Sequence, residues 1–557
     1  MPTDRPLVVA MLGWATLSRQ ADEGSGYNLN ASELALGLAR LGHVVYYLGS
    51  GLRYNVRPMP YIREIKPWHG VRCHELVNSP NLSPSAINIA NVRAERHCPT
   101  TTRLVLRWLN QIDARIVHVH SLEGLSLDLI AAVEASGRPV VVTTHNYWYV
   151  CPQVDLLHRE HEVCLDYEGG RRCAHCLEAP NPTVRRMKRR LGQAAQRLAG
   201  PAIASHARQV ASAWTRRHRT EPVPDDALRF LGYDNGAIQA AQDAEGPQSH
   251  YNIRARADEL PRTAPVLPAD TNDRVLANGD LHLRVLNEYG KRRHDGIAAL
   301  NAASLVTPPS NFLGQVHEAM GLRPEKRRTV RLGQPHFDRM HRAAMALPGY
   351  DQTPWTPNDQ RPLRLAFFGT VRPNKGLRVL ADAITLLPDE IRRRCAFHIR
   401  AAGGDWAFRK FLSGYPQVQF AGAYDLIQRC ASVVEYDIGL LPHIWMENSP
   451  LVLLEHLHAG KLVIASNLGG PPEWIIQREG QTNGLLFPSG HAAEMARCIT
   501  RLVTGQTPIP SPRAIHEITP GLTSYPRHVQ EVQSIYHELI DARDAASGMI
   551  HKALEPA

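Results

Sequence analysis

Trp445-Met446-Glu447-Asn448-Ser449-Pro450-Leu451-Val452-Leu453-Leu454-Glu455 is the stretch from which the rest of the chain is read. Just ahead of it, Tyr436-Asp437-Ile438-Gly439-Leu440-Leu441 has the length and apolar run of a short buried strand. Behind the turn, Ser449 is a natural N-cap and Pro450 suits the first helical position. The spacing predicts a strand, a polar turn and a helix whose positive end opens onto the turn, a ready place for phosphate. Glu447 falls in the turn and Glu455 in the second turn of the helix. A carboxylate inside an otherwise apolar helix is costly to bury unless a fixed partner hydrogen-bonds to it. Sugar and ribose hydroxyls are suitable partners.

A chain of 557 residues is too long for one core and predicts two to four units. The 43% apolar content is that of a globular protein, and the formal charge of +10 favours anionic partners: nucleotides, phosphorylated lipids, membrane surface or nucleic acid. Arginines on a solvated surface would give the same excess. Leu7 to Leu12 is a strand-length run rather than a signal peptide, and no run reaches transmembrane length. Nine cysteines in such a chain do not make a disulfide scaffold, so a cytoplasmic location is expected.

In the first half, Leu7 to Leu12 and Val44 to Leu48 read as strands flanking a helix with Leu29, Leu34, Leu38 and Leu41. The loop between, Glu23-Gly24-Ser25-Gly26-Tyr27-Asn28, is of the kind that approaches a ligand closely. It lacks G-x-G-x-x-G, so a dinucleotide site is not indicated. Strands at Ile116–Val119 and Pro139–Thr143 end in His120-Ser121 and Thr144-His145-Asn146. Ligands sit at the carboxyl ends of strands in open parallel sheets, which places His145 where chemistry happens; a histidine packed in a loop is the alternative. Residues 151–176 are loop-like and cysteine-rich, and 182–290 read as an irregular insertion.

Leu347 to Pro362 (LPGYDQTPWTPNDQRP) reads as a linker. A second β/α run follows, with strands at 363–368, 396–401, 418–420, 436–441, 462–465 and 484–487 and helices between, then a last helix over Tyr525 to Ala542. The expected organisation is α/β: a domain over 1–346, a linker over 347–362, a second domain over 363–512, and a C-terminal helix within 513–545 packing back on the first domain. Two doubly wound, Rossmann-like halves then face each other across a cleft.

Gly369-Thr370-Val371-Arg372-Pro373-Asn374-Lys375-Gly376 follows the first strand of the second half. It offers backbone N–H groups and two cations to a diphosphate, unless both are solvated loop charges. Gly403-Gly404-Asp405 and Gly422-Ala423-Tyr424 also follow strands; glycines let a flat base lie against the backbone, and Tyr424 is placed to stack on it. Gly469-Gly470-Pro471-Pro472-Glu473 adds a further tight turn.

In this order, Gly369-Thr370-x-Arg372-x-x-Lys375-Gly376, Pro442-His443-x-Trp445-x-Glu447-Asn448-Ser449-Pro450, Glu447-x7-Glu455, and Leu462 to Gly470 with Glu473 resemble the retaining GT-B glycosyltransferases called glycosyl transferases group 1, or family 4. Gly24-Ser25-Gly26 and Thr144-His145-Asn146 look like that family's acceptor-side loop and strand-end histidine. The resemblance implies sugar transfer from a nucleotide-sugar donor with retention. By position, Arg372 and Lys375 would hold the diphosphate. Glu447 would contact the donor sugar, with Asn448 and Ser449 against sugar and phosphate. Glu455 would bind ribose, His145 would lie at the reacting centre, and Gly26 would approach the ligand. Cations at the leaving group favour the transition state; no Asp-x-Asp motif stands out, and no cofactor beyond the donor is expected. Pro450 departs from the pattern by removing one N–H from the expected helix start. The acceptor is expected to be a glycan or a lipid-linked or other cell-surface molecule, and no nucleic acid is expected as partner.

Cys151-x12-Cys164-x8-Cys173-x2-Cys176, beside His158, His161 and His175, fits a structural zinc that fixes a coreless loop. Reduced unligated thiols and a disulfide are the other readings. Arg185, Arg186, Lys188, Arg189 and Arg190 form a basic helix pattern that would touch anionic membrane at its inner face or simply face solvent. Rivals to glycosyl transfer are a same-fold sugar-nucleotide epimerase or phosphorylase, and a non-catalytic nucleotide-sugar or nucleic-acid binder.

Overall fold

The structure is a computed structural model describing residues 6–18, 26–55, 59–84, 91–158, 162–164, 166–176, 266–277, 284–402, 406–422, 432–478 and 480–554, with isolated helical positions between 187 and 194. Tyr424, Gly24, Ser25, the Gly403-Gly404-Asp405 turn, most of the 182–290 insertion and most of the basic stretch 185–190 lie outside the described residues.

Apolar β-branched runs bounded by polar turns make two mostly parallel sheets. The first holds β1 (Val8–Gly13), β2 (Val44–Arg53), β3 (Tyr61–Trp68), β4 (Val71–Val77), β5 (Ile116–Val119), β6 (Val140–Val142) and β7 (Leu305–Val306) in the order β3-β4-β2-β1-β5-β6-β7. β1 lies central, paired in parallel with β2 (Val8↔Val44) and β5 (Val9↔Ile116). The second holds β8 (Leu363–Thr370), β9 (Cys395–Ala402), β10 (Val418–Phe420), β11 (Ile438–Leu441), β12 (Leu462–Ser466) and β13 (Gly484–Phe487) in the order β10-β9-β8-β11-β12-β13. In both sheets the order reverses beside the first strand, which opens a crevice at the carboxyl ends there.

Three departures from the sequence reading have physical reasons. The antiparallel hairpin β3–β4 was not expected, although His69 and Gly70 at φ 46° and 89° make the two-residue turn that hairpins favour. Order also returns before 290: helices run over Thr271–Ala277 and Glu288–Ala302. The second buries Gly290, Arg292, Arg293 and Gly296, so its inner face does not read as apolar. Finally, the helix after the opening stretch is Leu451–His458, with Pro450 itself at the N-cap (φ −65°, ψ 125°) in place of Ser449. The Pro450 carbonyl already accepts from Leu453 N at 3.0 Å and Leu454 N at 3.3 Å. Its missing N–H therefore lies one residue ahead of the helix and removes no donor from the first turn.

Helices that matter below are α1 (Gly26–Arg40), α2 (Asn311–Ala319), α3 (Pro335–Met345), α4 (Leu451–His458) and α5 (Tyr525–Leu554). α5 lays Val529, Val532, Ile535, Tyr536 and Ile540 into one core with Leu7, Val9, Met11, Ile116 and Val141 of the first sheet. The proline-rich segment is not a loose tether: Trp355 is 1% exposed in the core of the second domain and donates to the Arg361 carbonyl at 3.0 Å. Met446 and Leu468 of the second domain sit in the main core cluster of the first.

Candidate active site

β8 ends at Thr370, and the chain turns through Arg372 into a single 3-10 turn, Pro373–Lys375. Gly376 follows at φ 72°, and a Cβ there would fall 1.6 Å from the Pro442 carbonyl oxygen. Only glycine fits a left-handed position so tight against backbone. Ile444 N donates to the Asn374 carbonyl at 3.0 Å, so the cation-bearing loop and the loop after β11 are tied together.

That tie sets Lys375 Nζ on Glu447 Oε1 in a short charge-assisted contact, with Nζ also 5.1 Å from the Trp445 ring centroid. Glu447 is 7% exposed. Burial pushes its carboxyl up, but Lys375 and then His443 outweigh that and hold it below the ordinary carboxylate range. Around the pair, Thr370 Oγ1, Asn374 Oδ1, Asn448 Oδ1 and Ser449 Oγ are enclosed without a hydrogen-bond partner among the described residues. Enclosed polar atoms left open in this way mark a place for a polar ligand. The N-terminus of α4 opens beside them.

Gly469 (φ 75°) and Gly470 press the loop after β12 onto this turn: a Cβ on Gly469 would lie 2.2 Å from the Glu447 carbonyl oxygen, and one on Gly470 would lie 1.8 Å from that of Asn448. Gly470 N donates to Glu447 O at 2.7 Å. His443, which the sequence reading did not single out, lies beneath. Its Nδ1 faces Leu441 O at 3.0 Å and its Nε2 faces Leu468 O at 2.9 Å. Burial lowers its pKa while the Glu447 charge raises it.

The first domain closes over this turn. Asn448 Nδ2 donates to the His145 carbonyl, and Tyr147 OH donates to Met446 O at 3.0 Å. Gly26, the first residue of α1, stands against α4: a Cβ on it would lie 3.0 Å from Leu451 Cδ1. Asn272 brackets Gly469, accepting from its N–H at 2.8 Å and donating to its carbonyl at 3.0 Å. Glu473 crosses to the N-terminus of α2, accepting from Asn311 N at 3.0 Å and from Phe312 N, with Arg331 Nη1 3.1 Å away. Glu473 was quoted with a tight turn, but no local spacing shows that its carboxylate caps a helix 160 residues earlier.

His145, at the end of β6, is half-buried between Tyr27 (centroids 5.7 Å) and His120 (5.2 Å). Its Nε2 meets His120 Nδ1 at 2.9 Å. Burial pushes the His145 ring down to about 3, so it is neutral at physiological pH. Glu455 is 2% exposed and its Oε1 pairs with His336 Nε2 of α3 at 3.1 Å. It thus faces the helix leading into the linker. The structure brings Lys375, Glu447, Asn448, Ser449 and His145 together at one turn, with Gly26 against Leu451 of the adjoining helix, Arg372 at the head of the cation-bearing loop and Glu455 further along α4.

The zinc expectation finds no support. Among the described residues no group of three or more His, Cys, Asp or Glu is placed to hold a metal. Cys151, Cys164 and Cys173 are buried and outside any disulfide. Cys164 and Cys173 pack with Tyr167, whose ring lies 3.7 Å from the Arg293 guanidinium. Burial pushes the Cys151 thiol up to about 12, and Cys176 Sγ donates to Gln153 Oε1.

Residues 362–505 match the family model for glycosyl transferases group 1. A comparison with curated proteins gives no match. Among solved structures, the chain is similar to a sucrose-phosphate synthase from Thermosynechococcus elongatus, at 13% identity and a TM-score of 0.52 over 96% of this chain and 100% of that one. It is also similar to an α,α-trehalose-phosphate synthase (UDP-forming) from Burkholderia xenovorans, at 9% identity and a TM-score of 0.51 over 96% and 100%. At such identities the likeness is one of fold. Residues 362–505 are thus a glycosyl transferases group 1 domain, set in a chain with the two-domain GT-B fold.

Proposed function

We propose that the protein is a retaining glycosyltransferase that moves a sugar from a nucleotide-sugar donor to a glycan, glycolipid or other cell-surface acceptor, without a metal ion in the chemistry. One observation carries this reading: the Lys375–Glu447 pair lies at the carboxyl ends of β8 and β11, ringed by open polar atoms and the start of α4. In this reading Arg372 and Lys375 take the diphosphate as charge builds on the leaving group. Glu447, held ionised, accepts from hydroxyls of the donor sugar. Asn448 and Ser449 add the donor and acceptor capacity that their enclosed side chains leave open. Ribose meets Glu455 beside His336, and the acceptor enters past Gly26.

The two similar structures are a sucrose-phosphate synthase and a UDP-forming trehalose-phosphate synthase, which supports a sugar-transfer reading of the same fold. No helix among the described residues is long and apolar enough to cross a membrane, and a site at the inner membrane face is part of the proposal. A thermal-shift screen over nucleotide sugars tests it. One base and sugar should stabilise the protein, and Lys375→Ala and Glu447→Ala should abolish that stabilisation together with donor turnover. A flat response across the panel, or turnover untouched in both variants, would sink the reading.

A further inference from the structure

β5 and β6 place three histidines in a row: His118 inside the sheet, His120 at the end of β5, and His145 beyond β6. His118 is anchored at both ring nitrogens, Nδ1 to Tyr536 OH at 2.5 Å and Nε2 to Thr143 Oγ1 at 2.7 Å. Its ring lies 4.2 Å from that of His120, tilted by 31°. The next contact differs in kind. The His120 and His145 rings are within 18° of parallel, with centroids 5.2 Å apart and His120 Nδ1 2.9 Å from His145 Nε2. The two rings therefore meet edge to edge, in the geometry of a direct N–H···N bond.

We propose that His120 is a positioning residue: it donates Nδ1–H to His145 Nε2 and so fixes the tautomer in which His145 turns its own N–H, on Nδ1, away from His120 and toward the cleft.

Burial keeps both rings neutral, with His118 and His528 pushing the same way on His120. Each neutral imidazole carries one N–H, and exactly one proton lies between His120 Nδ1 and His145 Nε2. His120 is 5% exposed, and its Nε2 is enclosed with no partner among the described residues. If His145 supplied the shared proton, His120 would keep its own N–H on Nε2, an orphaned buried donor. Such donors are rarer and costlier than under-satisfied acceptors. If His120 supplies it, only a lone pair is enclosed at Nε2, and His145 presents a donor from Nδ1. What that donor serves rests on the glycosyl-transfer reading: in the cleft it would hydrogen-bond a hydroxyl of the donor sugar or the acceptor.

The test is spectroscopic and needs no substrate. In long-range proton–nitrogen spectra of protein labelled in histidine nitrogen, with His145 assigned by His145→Gln, His145 should carry its proton on Nδ1. In His120→Phe it should revert to the Nε2–H form that free neutral imidazole favours. In His120→Gln, whose amide can donate to the same nitrogen, the Nδ1–H form should return. Donor turnover in His120→Phe should fall about tenfold in kcat with KM for the donor within about twofold, and should recover in His120→Gln. An Nε2–H signature in the wild-type protein overturns the proposal even if no variant folds, as does a spectrum unchanged in folded His120→Phe. If the spectra agree but no nucleotide sugar is turned over, the glycosyl-transfer reading fails alone.

Discussion

Replacing Lys375 with methionine keeps the length and apolar body of the side chain and removes its charge. Glu447 then stays 7% exposed with its nearest cation gone. Removing one partner of a fully buried pair costs about 3–5 kcal/mol. The Lys375 side chain is 32% exposed, so water screens the pair and the range must be discounted; about 1–2 kcal/mol is expected. The pH dependence gives the sharper signature. In the wild type the Glu447 carboxyl is held below its ordinary value, so its contribution is present above the unfolded pKa and is lost as pH falls through the folded one. In Lys375→Met the burial effect is opposed mainly by His443, the folded pKa rises, and protonation now relieves the site. The gap in unfolding free energy between the two proteins should therefore be widest at neutral pH and shrink toward about pH 4.5. Urea unfolding at both pH values, with Glu447→Gln and the double variant closing the cycle, measures this. The double variant should recover most of the loss seen in Lys375→Met. Equal stabilities at both pH values, with no coupling in the cycle, would show that the pair is not desolvated and refute the reasoning.

Gly376→Ala should lower the melting temperature by several degrees and abolish donor-induced stabilisation, because a Cβ 1.6 Å from Pro442 O forces the loop off its partner. Glu473→Ala should cost about 1–3 kcal/mol through the lost cap and the stranded Arg331, with faster amide exchange over Asn311–Ala319. His458 is buried and pushed down to about 3, and His516 to about 4. For both, stability is full above the unfolded pKa and drains as pH falls below about 6.5, so His458→Phe should flatten the loss between pH 7 and pH 5. Metal chelators should leave the melting temperature of the purified protein unchanged; a drop would restore a metal to the cysteine segment.

The parts legible in the sequence are those whose physics is local. Gly369 to Gly376, Asn448-Ser449 and Gly469-Gly470 were marked because glycines and short polar residues cluster where backbone must approach backbone, and the structure shows those close approaches at Gly376, Gly469 and Gly470. Outside the β3–β4 hairpin, the strands of both sheets follow apolar runs of the right length. What escaped depends on partners far along the chain. His120 gains its meaning from His145 beyond the neighbouring strand, Glu473 from the backbone of α2, and His443 from the Leu468 carbonyl, which faces it only after β11 and β12 pair. Cysteine spacing did not show that Arg293, more than 100 residues downstream, stands beside the thiols. Glu455 was assigned an open ligand role, and no spacing could show that His336 would meet it.

The placement of α5 bears on how the molecule is made. Val529 to Ile540 complete a core whose other members include Leu7, Val9 and Met11, and Tyr536 anchors His118. The first sheet therefore lacks part of one face until about 520 later residues have been synthesised. A chain emerging in order leaves that face uncovered while the second domain folds, a long-range closure that is slow and exposed to aggregation. Nascent chains stalled before 525 should engage holdase chaperones, and release should coincide with the appearance of the last helix.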